Sequence, residues 1–206
     1  MRRDRRSSEE SSVYILLTDT GTLFTRLIRC FTGAAYNHAS LALDEELNEL
    51  YSFGRKRPKT PWLAGFVRED VYEGTFRHFS DTQCVLLRLS VSAEQRKNVM
   101  AVIDEFQRKA DDCRYNLLGL LAVPLGLEWK RDNAYFCSQF AAEALRLSGI
   151  RLWDRPSSLV APNDFLEHPA FEVVYEGALY HYPLLDRSRL YQPNQYQTRS
   201  AAWQVN

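Results

Sequence analysis

Apolar runs along the chain predict several short strands. Residues 13–18 (VYILLT) form a continuous apolar run with the length and composition of a buried strand, and residues 85–91 (VLLRLSV) form another. Residues 38–43 (HASLAL) alternate small or polar residues with larger apolar ones. Together with residues 47–53 (LNELYSF), they predict a hairpin that carries His38 on its first strand.

Two longer segments have the apolar spacing of helices. Ser92 and Gln95 match a capping box, and the apolar stripe behind them predicts a helix that runs to about Ala110. Residues 137–147 (CSQFAAEALRL) combine strong helix formers with one apolar side, and Gly149 is placed to end that helix. Shorter elements are predicted elsewhere: a helix within 22–31, a short helix and turn within 115–127, a helical turn at 162–166, and strands at 171–175 and 178–182.

The domain organisation follows from length and from local composition. A chain of 206 residues fits one domain with a single core. Residues 1–12 contain almost nothing apolar and are predicted to be disordered. The domain is predicted at residues 13–185, and a polar C-terminal extension at residues 186–206. Within the domain, residues 54–65 (GRKRPKTPWLAG) hold two prolines and a basic cluster, which predicts a loop.

Charge and cysteine spacing exclude several classes of protein. Lys plus Arg and Asp plus Glu both total 26, so no net field draws the chain to nucleic acid or to an anionic membrane. The four cysteines are widely spaced and form no cluster of zinc-ligand spacing, so we expect no metal and no cofactor. No apolar run is long enough for a transmembrane segment, and no export signal is evident. We therefore expect a cytoplasmic protein with reduced thiols, whose oligomeric state the composition leaves open.

Cys137 is the cysteine whose position favours chemistry. It begins the predicted helix 137–147, where unpaired N–H groups and the positive end of the helix dipole favour a thiolate. The same N–H groups can stabilise an oxyanion in acyl transfer. The alternative is a buried thiol that only fills the core, which is a common use of free cysteine. The other cysteines lack this context: Cys30, Cys84 and Cys113.

His38 is the best candidate for the base that a nucleophilic thiol needs. It opens a predicted strand and is followed by the small residues Ala39 and Ser40, which leave its ring accessible. A structural role for a single histidine on a strand is the alternative interpretation. The remaining histidines lie in an aromatic loop, before a proline and in a Tyr-rich segment: His78, His168 and His181.

Two segments, one around His38 and one around Cys137, resemble those of a known family. Residues 36–56 (YNHASLALDEELNELYSFGRK), followed later by residues 135–150 (YFCSQFAAEALRLSGI), are similar to the circularly permuted papain-like proteins of the NlpC/P60 kind. In that family the strand that bears the histidine precedes the helix that bears the cysteine. The chain resembles most closely a group of uncharacterised bacterial proteins, mostly from Firmicutes, and the similarity covers nearly all of residues 13–182.

The resemblance implies an α+β fold in which an antiparallel sheet packs against the Cys-bearing helix. It also implies that Cys137 attacks a carbonyl carbon while His38 takes and returns the proton. Such enzymes add a third polar group, on the strand after the His strand, that fixes the imidazole tautomer. This sequence departs from the pattern there, because neither a His nor a clear acidic residue stands at the expected position. Ser52, Tyr51 and Glu49 all remain possible, since the parity of the strand depends on the turn. Ser52 is the residue we favour.

The expected activity is that of an amidase- or peptidase-type thiol hydrolase that cleaves an amide or ester acyl bond. A small peptide, another amide or a lipid acyl group would be its substrate. One alternative is an acyltransferase or thioesterase that acts on lipids or small molecules. Another is a binding module that keeps the fold without catalysis.

Overall fold

The computed structural model describes residues 10–20, 35–55, 64–110, 114–115 and 134–190. These residues form a mixed α+β structure around a six-stranded antiparallel sheet. Its strands are β1 (Glu10–Asp19), β2 (His38–Ala42), β3 (Leu50–Arg55), β4 (Ala64–Glu69), β5 (Gln83–Ser92) and β8 (Phe171–Ala178). They are arranged in the order β4-β3-β2-β1-β5-β8. Two short strands, β6 (Arg114–Tyr115) and β7 (Ala134–Tyr135), pair with each other in parallel.

Helices connect and cover the strands. The α-helices are α1 (Gly74–His78), α2 (Ala93–Arg108), α3 (Cys137–Leu147), α4 (Pro162–Glu167) and α5 (Arg187–Leu190). Two 3₁₀ turns follow α3 and β8, at Ser157–Leu159 and Leu179–His181. No helix in the described ranges is long and apolar enough to cross a membrane.

The sheet has two buried faces, because side chains alternate along each strand. On one face, α2 and α3 pack over apolar residues of β1 to β5. Aromatic rings dominate the contact with α3, and Phe140 lies 5.5 Å from Phe53 and 5.1 Å from Phe106 between ring centroids. The opposite face packs against α1 and the segment after β8, through residues that include Phe76 and Leu179. The aromatic contacts fix α3, and therefore its first residue, relative to the strands.

Several predicted elements are confirmed. The hairpin of β2 and β3 is present, and α3 spans the predicted residues 137–147. Gly149 adopts a φ of 80° just beyond α3, a conformation that glycine adopts without strain. The Ser92–Gln95 capping box begins α2, which ends at Arg108. The strand predicted at residues 85–91 and the helical turn predicted at residues 162–166 are also present, as β5 and α4.

Other predictions are wrong in their boundaries. The strand predicted from residue 13 begins at Glu10, because residues 10–12 pair with the end of β5, so the N-terminal segment 1–12 is not disordered throughout. Residues 54–65 are not all loop, since β3 extends through residues 54–55 and β4 begins at residue 64. The strand predicted at residues 178–182 is a 3₁₀ turn, because β8 alone continues from residue 171 to residue 178. The helix predicted within 22–31 lies outside the described residues. The helix and turn predicted within 115–127 also lie outside them, except for residue 115, which belongs to β6.

Candidate active site

The candidate site lies where strands β2 and β3 separate. The two strands pair at Leu41–Tyr51 and at Ala42–Leu50, and the described register extends no further toward His38. The N–H of Leu43 faces β3, where it bonds Glu49 O at 3.0 Å. Since every second N–H of a strand points to the same side, the N–H of Ala39 also faces β3. Beyond the last pair, this N–H has no strand partner within the described register.

Cys137 occupies this opening from the side of helix α3. Its Sγ lies 4.0 Å from the carbonyl oxygen of Asn37, and the backbone N–H groups of Ala39 and Ser138 hydrogen-bond the sulfur. Phe136 is the N-cap residue, and no side chain caps this end of α3 within the described residues. The first N–H groups of the helix are therefore available to negative charge at the sulfur or beside it.

The start of α3 is anchored independently of the thiol. Ser138 is fully buried, and its hydroxyl donates a hydrogen bond to the Val160 carbonyl at 2.7 Å. Cys137 itself is 1% exposed. This anchor holds the first turn of the helix against the segment that follows it, so the sulfur is held at a fixed position.

The imidazole of His38 lies between Cys137 and a carboxylate. Its Nε2 hydrogen-bonds Glu69 Oε1 at 2.9 Å, and its ring also hydrogen-bonds the Cys137 thiol. Because the carboxylate engages Nε2, Nδ1 is the nitrogen left to face the sulfur. The His38 and Glu69 side chains are 20% and 14% exposed, so water screens their attraction only weakly. The arrangement is a chain of thiol, imidazole and carboxylate.

Glu69 reaches His38 by crossing strand β3. Glu69 pairs with Leu50 at the far end of β3, so its side chain must pass over Ser52 and Gly54 to arrive at the imidazole. A Cβ on Gly54 would lie 3.4 Å from Glu69 Oε1 and 3.5 Å from His38 Cε1. It would also lie 3.1 Å from Ser52 Oγ, which is a tight contact. Because Ser52 is small and Gly54 has no side chain, this face of β3 has room for the Glu69 carboxylate.

Two serines flank the Glu69 carboxylate. The hydroxyl of Ser40 donates to Oε2 at 2.5 Å, a short hydrogen bond. Ser52 lowers the pKa of Glu69 in the same direction as Ser40. However, its buried oxygen makes no hydrogen bond of regular geometry with the residues that the structure describes. Of the two serines, Ser40 is therefore the one that hydrogen-bonds this carboxylate with regular geometry.

The electrostatics of the three groups favour charge separation. Burial alone would lower the pKa of His38, but Glu69 and Cys137 outweigh burial and raise it to about 10. Burial alone would raise the pKa of Glu69, and the charge of His38 outweighs it and lowers that pKa. In the same way, the His38 hydrogen bond and charge overcome burial and lower the pKa of the Cys137 thiol. These shifts favour a Cys137 thiolate paired with a His38 imidazolium, beside an ionised Glu69 carboxylate.

The structure brings Cys137 and His38 together, as the sequence suggested, but Ser52 makes no hydrogen bond of regular geometry to the imidazole. The residue that hydrogen-bonds Nε2 of the ring is Glu69, which is not among the residues predicted from the sequence. Tyr51 points to the opposite face of the sheet, where its ring stacks on Phe66. Glu49 precedes β3, and its N–H bonds the Asp44 carboxylate at 2.7 Å.

The signal for Glu69 in the sequence is faint. It ends a short alternating stretch, residues 64–69 (AGFVRE), that follows a proline-rich segment. Nothing in that stretch alone indicates that β4 lies beside β3 or that Glu69 reaches across it. The missing information is the strand pairing, which is not local.

The other described cysteine and histidines lie apart from this cluster. Cys84 is buried on β5, and burial raises the pKa of its thiol to about 12, which disfavours the reactive thiolate form. His168 Nε2 bonds the Leu152 carbonyl at 2.9 Å, while His78 lies at the exposed end of α1. Cys30 and Cys113 lie outside the described residues.

Comparisons with known proteins do not assign the site. No protein-family model matches the chain, and a search of curated proteins returns no match. The residues that the structure describes contain no group of three or more His, Cys, Asp or Glu placed to hold a metal ion. The chemistry of the site is therefore interpreted from Cys137, His38 and Glu69 themselves.

Proposed function

We propose that this chain is a cysteine hydrolase that cleaves an amide or ester acyl bond. Cys137 is the nucleophile, His38 the general acid and base, and Glu69 the group that orients the imidazole. The observation that carries the proposal is the chain of contacts from the buried thiol, through His38, to a carboxylate 2.9 Å from Nε2. This constellation performs acyl transfer on unrelated folds, so it is recognised by geometry rather than by sequence position.

The first half of the reaction forms an acyl-enzyme. The Cys137 thiolate attacks the carbonyl carbon, and the carbonyl oxygen becomes an oxyanion. The uncapped N–H groups at the start of α3 stabilise this charge, because they point toward the sulfur and its surroundings. When the tetrahedral intermediate collapses, the imidazolium of His38 gives its Nδ1 proton to the departing amine or alcohol. A thioester on Cys137 remains.

The second half returns the enzyme to its starting state. Neutral His38 removes a proton from a water molecule, which attacks the thioester carbon. The acid leaves, and Cys137 becomes a thiolate again beside the imidazolium. Glu69 stays ionised throughout and stabilises the imidazolium, while its hydrogen bond keeps Nδ1 directed at the sulfur.

The fold fits the same proposal. The His-bearing strand β2 precedes the Cys-bearing helix α3, and α3 packs on an antiparallel sheet. This order is the one that the resemblance to the permuted NlpC/P60 proteins implies, so we propose membership of that group. A peptide, another amide or a lipid acyl group then remains the expected substrate.

The proposal is tested by trapping the acyl-enzyme. Cys30, Cys84 and Cys113 are replaced by Ala, so that Cys137 is the only thiol. The protein is mixed with p-nitrophenyl esters of short and long fatty acids and with aminoacyl p-nitroanilides. We expect a burst of p-nitrophenol or p-nitroaniline and a mass increase on Cys137 equal to the acyl group. Transfer of that acyl group to an added amine or alcohol would identify acyl transfer as the activity.

Two variants make the test specific. Cys137→Ala removes the nucleophile and should abolish both the burst and the mass increase, while Cys84→Ala alone should leave both unchanged. The pH dependence of Cys137 alkylation by iodoacetamide provides a readout that needs no substrate. If no ester or amide acylates Cys137 and its alkylation midpoint lies near the ordinary thiol value of about 8.5, the hydrolase proposal is wrong.

A further inference from the structure

Among the described residues, Ser40 is the residue besides His38 that hydrogen-bonds the Glu69 carboxylate with regular geometry. We infer that Ser40 is a positioning residue, whose hydroxyl holds Glu69 in the pose that orients His38; this inference rests on the proposed function. Ser40 Oγ donates to Glu69 Oε2 at 2.5 Å, while Oε1 bonds His38 at 2.9 Å. Each carboxylate oxygen therefore has its own partner. Two bonds in different directions fix the plane of the carboxylate, which a single bond to the imidazole cannot do.

The register of the sheet explains why position 40 serves this purpose. His38 and Ser40 are two residues apart on β2, so both side chains leave the same face of the strand. Glu69 arrives across β3 and lies over both. A hydroxyl at position 40 is short enough to leave room for the carboxylate and long enough to donate to it. An apolar side chain at this position removes the donor.

Burial makes this hydrogen bond matter for the charge of Glu69. Ser40 is fully buried and the Glu69 side chain is only 14% exposed, so little water replaces a lost donor. A buried carboxylate that loses a hydrogen bond is less stable in its ionised form. Ser40 is one of the groups that lower the pKa of Glu69, after His38 itself. Removal of the Ser40 hydroxyl should therefore raise the pKa of Glu69. It should also let the Glu69 carboxylate turn away from His38 more easily.

Ser52 supplies a matched control within the same site. It is also a fully buried serine beside Glu69, on the neighbouring strand and the same face. Its Oγ, in contrast, has no hydrogen-bond partner of regular geometry among the described residues. Ser40→Ala and Ser52→Ala delete the same atom at the same burial. They differ in the geometry of the contact that is lost, because only Ser40 donates a hydrogen bond of regular geometry to Glu69.

The experiment compares these variants in the chain that retains Cys137 as its only thiol. We expect Ser40→Ala to lower kcat/KM for a p-nitrophenyl ester by about 10- to 100-fold, the size of one hydrogen bond to a charged group, with the loss in kcat rather than in KM. The midpoint of Cys137 alkylation should rise, because a less firmly held carboxylate stabilises the imidazolium less. Ser52→Ala should lower kcat/KM less than Ser40→Ala does, because the Ser52 hydroxyl has no hydrogen bond of regular geometry to lose.

A third variant separates hydrogen bonding from packing. Ser40→Cys fills the position without leaving a cavity but is a weak donor, so it should follow Ser40→Ala in reactivity. Alkylation is followed by peptide mass spectrometry, which distinguishes position 40 from Cys137. The inference is overturned if Ser40→Cys has the same Cys137 alkylation midpoint as the parent chain. It is also overturned if Ser40→Ala and Ser52→Ala change kcat/KM and the alkylation midpoint equally.

The two proposals fail in different ways. If the parent chain hydrolyses no substrate but Ser40→Ala shifts the alkylation midpoint, Ser40 positions Glu69 and the hydrolase assignment is wrong. If the parent chain hydrolyses esters and Ser40→Ala changes neither kcat nor the midpoint, the hydrolase assignment stands and the role of Ser40 is wrong.

Discussion

Glu69→Gln isolates the charge of the orienting carboxylate. The amide has nearly the same shape, and its oxygen can still accept a hydrogen bond from His38 Nε2. Unit charges 2.9 Å apart attract by about 6 kcal/mol at an effective dielectric constant of about 20. Both charges are spread over two atoms and the neutral hydrogen bond remains, so about half of this energy, roughly 3 kcal/mol, is lost. The pKa of His38 should therefore fall by roughly two units.

A weaker imidazolium stabilises the Cys137 thiolate less. We expect the alkylation midpoint of Cys137 to rise, and kcat/KM for a p-nitrophenyl ester to fall on the order of 100-fold. Glu69→Ala should lower kcat/KM further, because it also removes the hydrogen bond that aims the ring. Rates of iodoacetamide alkylation between pH 5 and 10, together with ester hydrolysis, measure both effects.

The control is the removal of a comparable charge elsewhere. Glu172 on β8 bonds Arg88 at 2.7 Å, but its side chain is 65% exposed. Glu172→Gln should leave the alkylation midpoint and kcat/KM unchanged, since water screens that pair. If Glu69→Gln matches Glu172→Gln in both assays, the carboxylate does not act through its charge and the electrostatic reasoning is refuted.

Three further predictions follow from the geometry. Gly54→Val places side-chain atoms where the Glu69 carboxylate crosses β3, so ester hydrolysis should fall at least about 100-fold while the circular dichroism spectrum is kept; unchanged activity would contradict the crossing. In Cys137→Ala, the charge and the hydrogen bond of Glu69 remain to raise the pKa of His38. This shift makes a stabilising contribution that is complete below about pH 6.5 and is lost as pH rises through the folded pKa, with a slope of up to about 1.4 kcal/mol per unit in urea unfolding. The parent chain should lack this slope between pH 6.5 and 8.5, because thiolate with imidazolium holds as many protons as thiol with imidazole; equal slopes would contradict the ion pair. Ser138→Ala leaves the Val160 carbonyl without its donor and should lower the free energy of unfolding by about 1 to 3 kcal/mol, and an unchanged urea midpoint would show that this bond does not anchor α3.

The local elements of this fold could be predicted because their signals are local. Helix α3 has strong helix formers from its first residue, and Gly149 follows it in the conformation that glycine favours. The Ser92–Gln95 capping box predicts the start of α2, and the alternation of small and apolar residues predicts β2, so these signals are local too. Cys137 at a helix start and His38 at a strand start are properties of single elements, so sequence reasoning could propose both.

The third member of the site could not be predicted, because it depends on contacts between distant strands. The resemblance to the NlpC/P60 proteins predicts the third group on the strand after His38, where Ser52 is the favoured residue. Glu69 lies one strand further away and reaches His38 only because Gly54 has no side chain and Ser52 has a small one. The sequence also does not indicate where strand β4 begins, because the prolines and basic residues of the segment before it are typical of a loop.

The cluster is difficult to explain as a structural feature alone. Burying charged groups costs free energy that their mutual attraction only partly offsets, and apolar residues of similar volume often stabilise a fold at least as well. The site also leaves the Ser52 hydroxyl without a regular partner among the described residues, and keeps a glycine inside β3 where a larger residue would favour the strand. Each of these features weakens the fold, yet each contributes to the path by which Glu69 reaches His38. A path from a carboxylate to a thiol at a helix N-terminus can hold and move a proton, which is what the proposed acyl transfer at Cys137 would require.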